Sequence, residues 1–278
     1  MKLAKNIALF TIVVAVLVLP SRASAQETQQ TVDTRIGKLD FELGVPTQST
    51  VKNLYHEIDF QRACQLYIWA LPLVEFGNLQ AILEGTTGSM PGDLSIFTGN
   101  EQSVFLTPNA TTPYIFAYLD LAKTGPVVMD IPAGGIAGSA LDAWQRPLSD
   151  LGMTGLDQGK GGKYVFVGLG QEAPKAEGAF VLRSATFGVV LFYRTLDPDQ
   201  AKGEALARRI RIYSWAQRDN PPAMRFLKPD PDKFANFVTM PRGMKYWEQL
   251  AAMIQREPVE DRDRFFMAML RPLGIEKD

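Results

Sequence analysis

The stretch YIFAYLDLAKTGPVVMDI, residues 114–131, decides the fold. Its β-branched and aromatic runs, Tyr114 to Asp120 and Pro126 to Ile131, are broken at Gly125, as two strands joined by a short connection require. The same character recurs at Ser103 to Leu106, Lys163 to Leu169, Ala179 to Arg183 and Gly188 to Thr195, with Gly, Pro and Asn clusters between. Short spacing of this kind predicts an antiparallel arrangement. Only Gly138 to Gly162 reads as a long irregular connection, and long loops in compact domains are often functional.

Helical patterns flank this block. From Val51, the residues Leu54, Ile58, Cys64, Leu66, Tyr67, Trp69 and Ala70 suggest a helix, which Pro72 is expected to kink or interrupt before a second piece from Leu73 to Leu83. On the other side, Asp197 reads as an N-cap, with Pro198 at the first helical position and Gln200 completing a capping box. Leu206, Ile210 and Tyr213 form its apolar stripe, and Asn220-Pro221-Pro222 ends it. Two further helices lie within residues 242–271, one marked by Met244, Trp247, Leu250 and Ile254, the other by Phe265, Phe266, Met269 and Leu270, with Pro258 between them. The fold class is therefore α+β, mainly an antiparallel β-sheet or sandwich with N-terminal and C-terminal helices packed around it.

At the N-terminus, Lys2 and Lys5 precede an apolar run from Ile7 to Leu19 and then Ala23-Ser24-Ala25, the small-x-small pattern of a signal peptide cleaved before Gln26. Thirteen residues at about 1.5 Å each reach about 20 Å, too short for a hydrocarbon core of about 30 Å. Residues 1–25 are thus read as a signal peptide, residues 26–50 as a polar leader that is either loosely ordered or laid along the domain, and residues 51–278 as a single domain. The expected location is the periplasm, with no stable membrane anchor.

Cleavage removes three bases and no acid, taking the net charge from −1 to −4. That balance argues against nucleic acid or an anionic membrane as the main partner. Cys64 is the single cysteine, so no intrachain disulfide can form, and within its apolar stretch it reads as a small buried hydrophobe.

Several stretches carry a resemblance to a bacterial family. They are Tyr67-Ile68-Trp69-Ala70-Leu71-Pro72, Leu106-Thr107-Pro108-Asn109-Ala110-Thr111-Thr112-Pro113-Tyr114, Trp144-Gln145-Arg146-Pro147 with Asp150, Asp157 through Tyr164, and Arg211-Ile212-Tyr213 with Asn220-Pro221-Pro222. The chain resembles the domain of unknown function 1254 family from about Val51 to Pro222. The resemblance implies an antiparallel sheet or sandwich with helices around it, and no established chemistry. It also implies that relatives commonly continue into a second β-rich domain, domain of unknown function 1214, and that Ala110 and Thr111 stand where relatives usually carry an amide and a carboxylate.

The chemistry legible in the residues is sparse. His56 is the single histidine, on an early helix where a surface role is expected, and no G-x-S-x-G elbow is present, so a serine or cysteine triad lacks its parts. One His and one Cys fall short of a zinc ligand set. No metal site or cofactor is expected, although Asp142, Asp150 and Asp157 could supply oxygen ligands if they met in space. The glycine-rich stretch from Thr154 to Gly161 fails as a phosphate-binding loop, because Thr154 and Gly161 replace the glycine and hydroxyl that the pattern needs. It leaves Lys160 and Lys163 beside bare backbone N–H groups suited to an anion, or else a turn feeding the next strand.

Trp144, Arg146 and Asp150 form the best local cluster, either a platform for a sugar or carboxylated ligand or an Arg–Asp pair pinning a loop under an indole. Asn109, Thr112 and Tyr114, bracketed by Pro108 and Pro113, are either ligand contacts or backbone caps. Two functions are compatible with these residues. The first is a periplasmic binding or accessory module that takes a small polar or carbohydrate ligand and works in an assembly, as a homo-oligomer or with a separately encoded partner domain. The second is a periplasmic hydrolase or lyase acting on a carbohydrate or other polar polymer through carboxylates. The apolar C-terminal helices are expected to supply part of an assembly contact, tested by replacing Phe266 and Leu270.

Overall fold

A computed structural model describes residues 29–98, 111–230 and 240–277. The chain divides into two compact units, residues 1–58 and 59–278.

In the first unit the polar segment is not loosely ordered. β1 (Gln29–Thr34), β2 (Gly37–Glu42) and β3 (Val45–Pro46) form an antiparallel meander, with Gln29 opposite Glu42 and Thr34 opposite Gly37. Every residue of β1 is exposed, so no apolar alternation marks it in the sequence. Hydrogen bonds hold the unit instead. Thr31 Oγ1 donates to Asp40 Oδ1 at 2.6 Å, and the Thr50 hydroxyl accepts from the Asp40 N–H at 2.8 Å while donating to the Asp40 carbonyl at 3.0 Å. The boundary between the units falls at Ile58, inside the 40-residue helix α1 (Gln48–Thr87).

That helix carries Pro72 without interruption. Proline removes one intrahelical donor, the bond otherwise made to the Ile68 carbonyl, and Ile68 lies on an exposed face where water can replace it. The same Pro72 has its carbonyl taken by Gln145 Nε2 at 3.0 Å.

The second unit is built on two sheets. The strands are β4 (Leu94–Phe97), β5 (Tyr114–Asp120), β6 (Val127–Ile131), β7 (Ile136–Asp142), β8 (Pro147–Gly152), β9 (Gly162–Val167), β10 (Phe180–Arg183), β11 (Gly188–Thr195), β12 (Arg211–Ser214) and β13 (Phe226–Leu227). The six-stranded sheet has the order β13-β4-β5-β11-β7-β8 and the four-stranded sheet β10-β9-β6-β12. All pairings are antiparallel except β13 with β4 and β10 with β9. The α+β class is as expected.

Alternation explains the layering. Ile115, Ala117 and Leu119 of β5 face the four-stranded sheet and share a core with Val127, Met129, Ile131, Tyr164 and Phe166. Phe116 and Tyr118 face the other way, onto Leu83 of α1 and Phe97. The central run is therefore buried on both faces, which is why it reads as continuously apolar. On the helical side, Leu66, Leu73 and Val74 of α1 pack with Trp144, Val190 and the C-terminal helices α4 (Met244–Arg256) and α5 (Arg264–Leu270). At Gly77 a Cβ would meet the ends of the Gln249 and Met253 side chains of α4, which pack over the glycine.

Three expectations are corrected. The segment from Gly138 to Gly162 is no irregular loop, because most of it forms the β7–β8 hairpin. The helix after Asp197 is short: Asp199 caps it through Ala201 N and Lys202 N, α3 (Gln200–Ala207) follows, and Tyr213 lies on β12, paired with β6. Cys64 is exposed rather than buried. On the C-terminal helices, Phe266 stacks on Trp69 with centroids 4.9 Å apart and Leu270 is fully buried, while Met244 and Phe265 are exposed. The expected strand Ser103 to Leu106 lies outside the described residues.

Candidate functional site

The Trp144–Arg146 cluster sits at the tip of the β7–β8 hairpin, where Gln145 adopts φ +58°. Arg146 does not pair with Asp150. Its Nε lies 2.7 Å from Asp142 Oδ2 and its Nη2 2.5 Å from Glu260 Oε1. Asp142 is buried and also accepts from the backbone N–H groups of Trp144 at 2.8 Å and Arg146 at 3.0 Å, which shapes the turn. The guanidinium holds the Glu260 carboxyl below its ordinary value of 4.5, with Arg262 adding to the effect. Trp144 is buried against Trp69, whose indole N–H donates to Asp263 Oδ1 at 3.1 Å. This is a clamp between the hairpin and the C-terminal segment, with its indole packed in the core. Asp150 points elsewhere, accepting from Ser139 Oγ at 2.8 Å on the neighbouring strand.

The glycine-rich stretch is a turn. Tyr164 Oη donates to Asp157 Oδ1 at 2.5 Å, and the same carboxylate oxygen accepts from Gly152 N at 2.8 Å. Both side chains are buried, and Gly159 and Gly161 take φ +72° and +78°, the left-handed region that the tight path needs. Lys160 is exposed and touches Gln158 Oε1 at 3.4 Å, while Lys163 reaches Asp130 at 3.7 Å. Asp142, Asp150 and Asp157 thus have separate partners. Among the described residues no group of three or more His, Cys, Asp or Glu is placed to hold a metal ion.

Thr112 is buried next to Pro113, and Tyr114 opens β5 with its ring edge-on to Phe192 at 5.3 Å. Asn109 lies outside the described residues. His56 is exposed on α1. Among the described residues, those singled out from sequence therefore have separate partners.

A cleft that local spacing does not reveal lies elsewhere in the second unit. It has a volume of about 570 Å³ and is walled by Met90 to Asp93, by Leu119, Asp120, Lys123 and Thr124, by Ile212 to Ser214, and by Pro222 to Arg225. Two carboxylates border it, each tied to a cation. Asp93 Oδ2 accepts from Met90 N at 2.7 Å and from Arg225 Nη1 at 2.8 Å. Burial pushes the Asp93 carboxyl above its ordinary value of 3.8, against the lowering effects of Met90 N–H and Arg225. Asp120 caps α2 (Leu121–Thr124) through Lys123 N at 3.3 Å and pairs with Lys123 Nζ at 3.1 Å. Gly92, at φ +91°, brings the backbone so close that a Cβ would touch Ile212 Cγ2 at 3.4 Å. The wall segments fall into two groups, residues 90–124 and residues 212–225, that lie far apart in the chain, so no motif links them. The one signal within sequence reach was Asp120 ending its strand.

Residues 93–214 match the family described as "Protein of unknown function (DUF1254)". The match includes the β5, β9, β11 and β12 strands and one wall of the cleft. Among solved structures, the VPA0106 protein from Vibrio parahaemolyticus aligns with a TM-score of 0.54 at 15% identity, over 79% of this chain and 52% of that one. The likeness is one of fold, and the chain spans about half the length of that protein. No curated protein matches it in sequence.

Proposed function

We propose that this chain, whose residues 93–214 match the domain of unknown function 1254 family, is an exported binding or accessory module that holds a small polar ligand in the cleft bordered by Asp93 and Asp120. The observation that carries the reading is the contrast between the two regions. Arg146, Asp142, Asp157 and Tyr164 are consumed in contacts that shape turns, whereas Asp93 and Asp120, which also accept from local backbone N–H groups, stand with two exposed cations on the border of an open space. A volume of about 570 Å³ falls within the range of ligand pockets, about 300–1,000 Å³. Acids and bases in equal number favour a neutral or zwitterionic ligand with several hydrogen-bonding groups over a polyanion.

Export rests on Lys2, Lys5, the apolar run to Leu19 and Ala23-Ser24-Ala25; N-terminal sequencing of periplasmic material should begin at Gln26, and an intact Met1 there would overturn it. Function within an assembly is supported by large apolar side chains left exposed in the second unit, among them Phe60, Ile68, Met244 and Phe265. The second reading, a hydrolase or lyase acting through carboxylates, is favoured by the raised pKa of Asp93 alone.

A thermal-stability screen tests the binding reading. With maltotriose, glucosamine and short peptides at millimolar concentration, at least one class should raise Tm in the wild type and not in Asp93→Asn. Turnover of such a compound would favour the enzyme, and unchanged Tm across the panel would count against both readings.

A further inference from the structure

The cleft has one wall unlike the others: β12 is the outer strand of its sheet. Its pairing with β6 sets Ile212 opposite Met129 and Ser214 opposite Val127, and just beyond it Trp215 N donates to the Pro126 carbonyl at 2.7 Å. In an antiparallel pair, bonded and unbonded positions alternate. Trp215, Tyr213 and Arg211 therefore direct their backbone groups at β6, and Ile212 and Ser214 direct theirs outward. The Ile212 N–H confirms this parity, since it points to a thioether, Met224 Sδ at 3.0 Å, rather than to a strand. Sulfur is a weak acceptor on a flexible side chain, and a peptide carbonyl would be a better partner for that donor.

From these groups we propose that the cleft takes an extended peptide segment of a partner protein, added as an antiparallel strand along β12. The inference rests on the cleft being the binding site and names its ligand class. One peptide residue opposite Ile212 would exchange both of its backbone bonds with that residue, displacing Met224, and the carbonyl two residues along would accept from Ser214 N–H. Strand addition of this kind draws affinity from main-chain bonds and specificity from alternate side chains. Two features of the wall suit it. The Asp93–Arg225 and Asp120–Lys123 pairs keep the lining close to neutral as an uncharged backbone requires, and Lys123 and Arg225 stay exposed enough to follow the side chains of the peptide.

Ser214 provides a clean test, because its φ of −65° is the value a proline ring imposes and its N–H points away from β6. Ser214→Pro should fold with a Tm within a few degrees of wild type, losing the outward donor and the Ser214–Gln217 side-chain bond at 2.9 Å. Ser214→Ala loses that side-chain bond but keeps the N–H. The probe is the acetylated, amidated pentapeptide Ala-Thr-Ala-Thr-Ala, titrated into ¹⁵N-labelled protein, with a version methylated on alternate backbone nitrogens as control. The proposal expects the Ile212 and Ser214 amide resonances to shift and their exchange to slow, binding in Ser214→Ala within about twofold of wild type, and at least tenfold weaker binding in Ser214→Pro and for the methylated peptide. Equal binding of the methylated peptide, or Ser214→Pro binding as tightly as Ser214→Ala, would overturn it. If the peptide fails while maltotriose or glucosamine binds wild type but not Asp93→Asn, the strand proposal falls and the cleft reading stands. Self-association of the wild type that Ser214→Pro abolishes would also overturn it, by assigning the edge to a second copy.

Discussion

Removing the Arg146 guanidinium would leave the buried Asp142 carboxylate with only two backbone donors and would free Glu260 from its strongest contact. Partly buried pairs lie between exposed ones, worth about 0–1 kcal/mol, and fully buried ones, whose breaking costs about 3–5 kcal/mol. Arg146→Met should therefore cost about 2 kcal/mol and leave cleft binding unchanged. The pH dependence follows from Glu260. Its folded pKa lies below 4.5, so the stability that Arg146 supplies through it is complete above that value and is lost as pH falls through the folded pKa. Denaturant titrations of both proteins should show the full difference near neutral pH and a smaller one in acid. At Cys64 the exposed thiol predicts prompt labelling of the native protein by a maleimide and a change of no more than about 0.5 kcal/mol for Cys64→Ser. Sequence alone placed this thiol inside because its neighbours are apolar. The α1 face turned toward the sheet uses Leu66, Ala70 and Leu73, and Cys64 falls outside that stripe.

Elements were legible where burial is two-sided. Tyr114–Asp120 forms a strand over the expected residues because both faces are covered and the run stays apolar, and Gly188–Thr195 does so too although Phe192 and Arg194 are exposed. β7 was hidden by Gly138, which looks like a loop residue but is a packing requirement: a Cβ there would lie 2.3 Å from the Phe192 carbonyl oxygen and 2.4 Å from Tyr193 Cα on the paired strand. At β12, the spacing of Leu206, Ile210 and Tyr213 imitates a helix, yet pairing with β6 takes Tyr213 into the sheet. The Trp144 and Arg146 motif was visible as a cluster, but its role depends on Asp142, which shares the hairpin, and on Glu260, more than a hundred residues away. The end of α4 gives a test at this scale. Glu257, buried just after the helix, accepts from Phe187 N at 2.7 Å and Gly188 N at 3.1 Å, while Lys277 Nζ donates to the carbonyls of Ile254, Gln255 and Glu257. Glu257→Ala would strand two buried donors and should lower stability by about 2–4 kcal/mol. Glu257→Gln keeps one acceptor oxygen and should cost less, a ranking that chemical denaturation can read directly.

For the whole molecule, the second unit holds three layers: α1, α4 and α5, then the six-stranded sheet, then the four-stranded sheet. The helices spend their apolar stripe inside this arrangement, so Phe266 and Leu270 replaced by Ser should unfold the protein instead of altering its assembly. α1 contains an apolar window long enough to cross a membrane by length and composition, and one stripe of it, with Leu66, Ala70, Leu73, Val74 and Leu83 at zero exposure, forms part of the core. The account assigns stability to the Trp144–Arg146 clamp and binding to the cleft along β12. Amide hydrogen exchange of the protein, free and with the panel compound that raises Tm most, separates the two assignments. Slowed exchange confined to residues 90–93, 119–124 and 212–225 is the predicted result. Protection centred on residues 142–150 and 257–263, with the β12 segment unchanged, would contradict it.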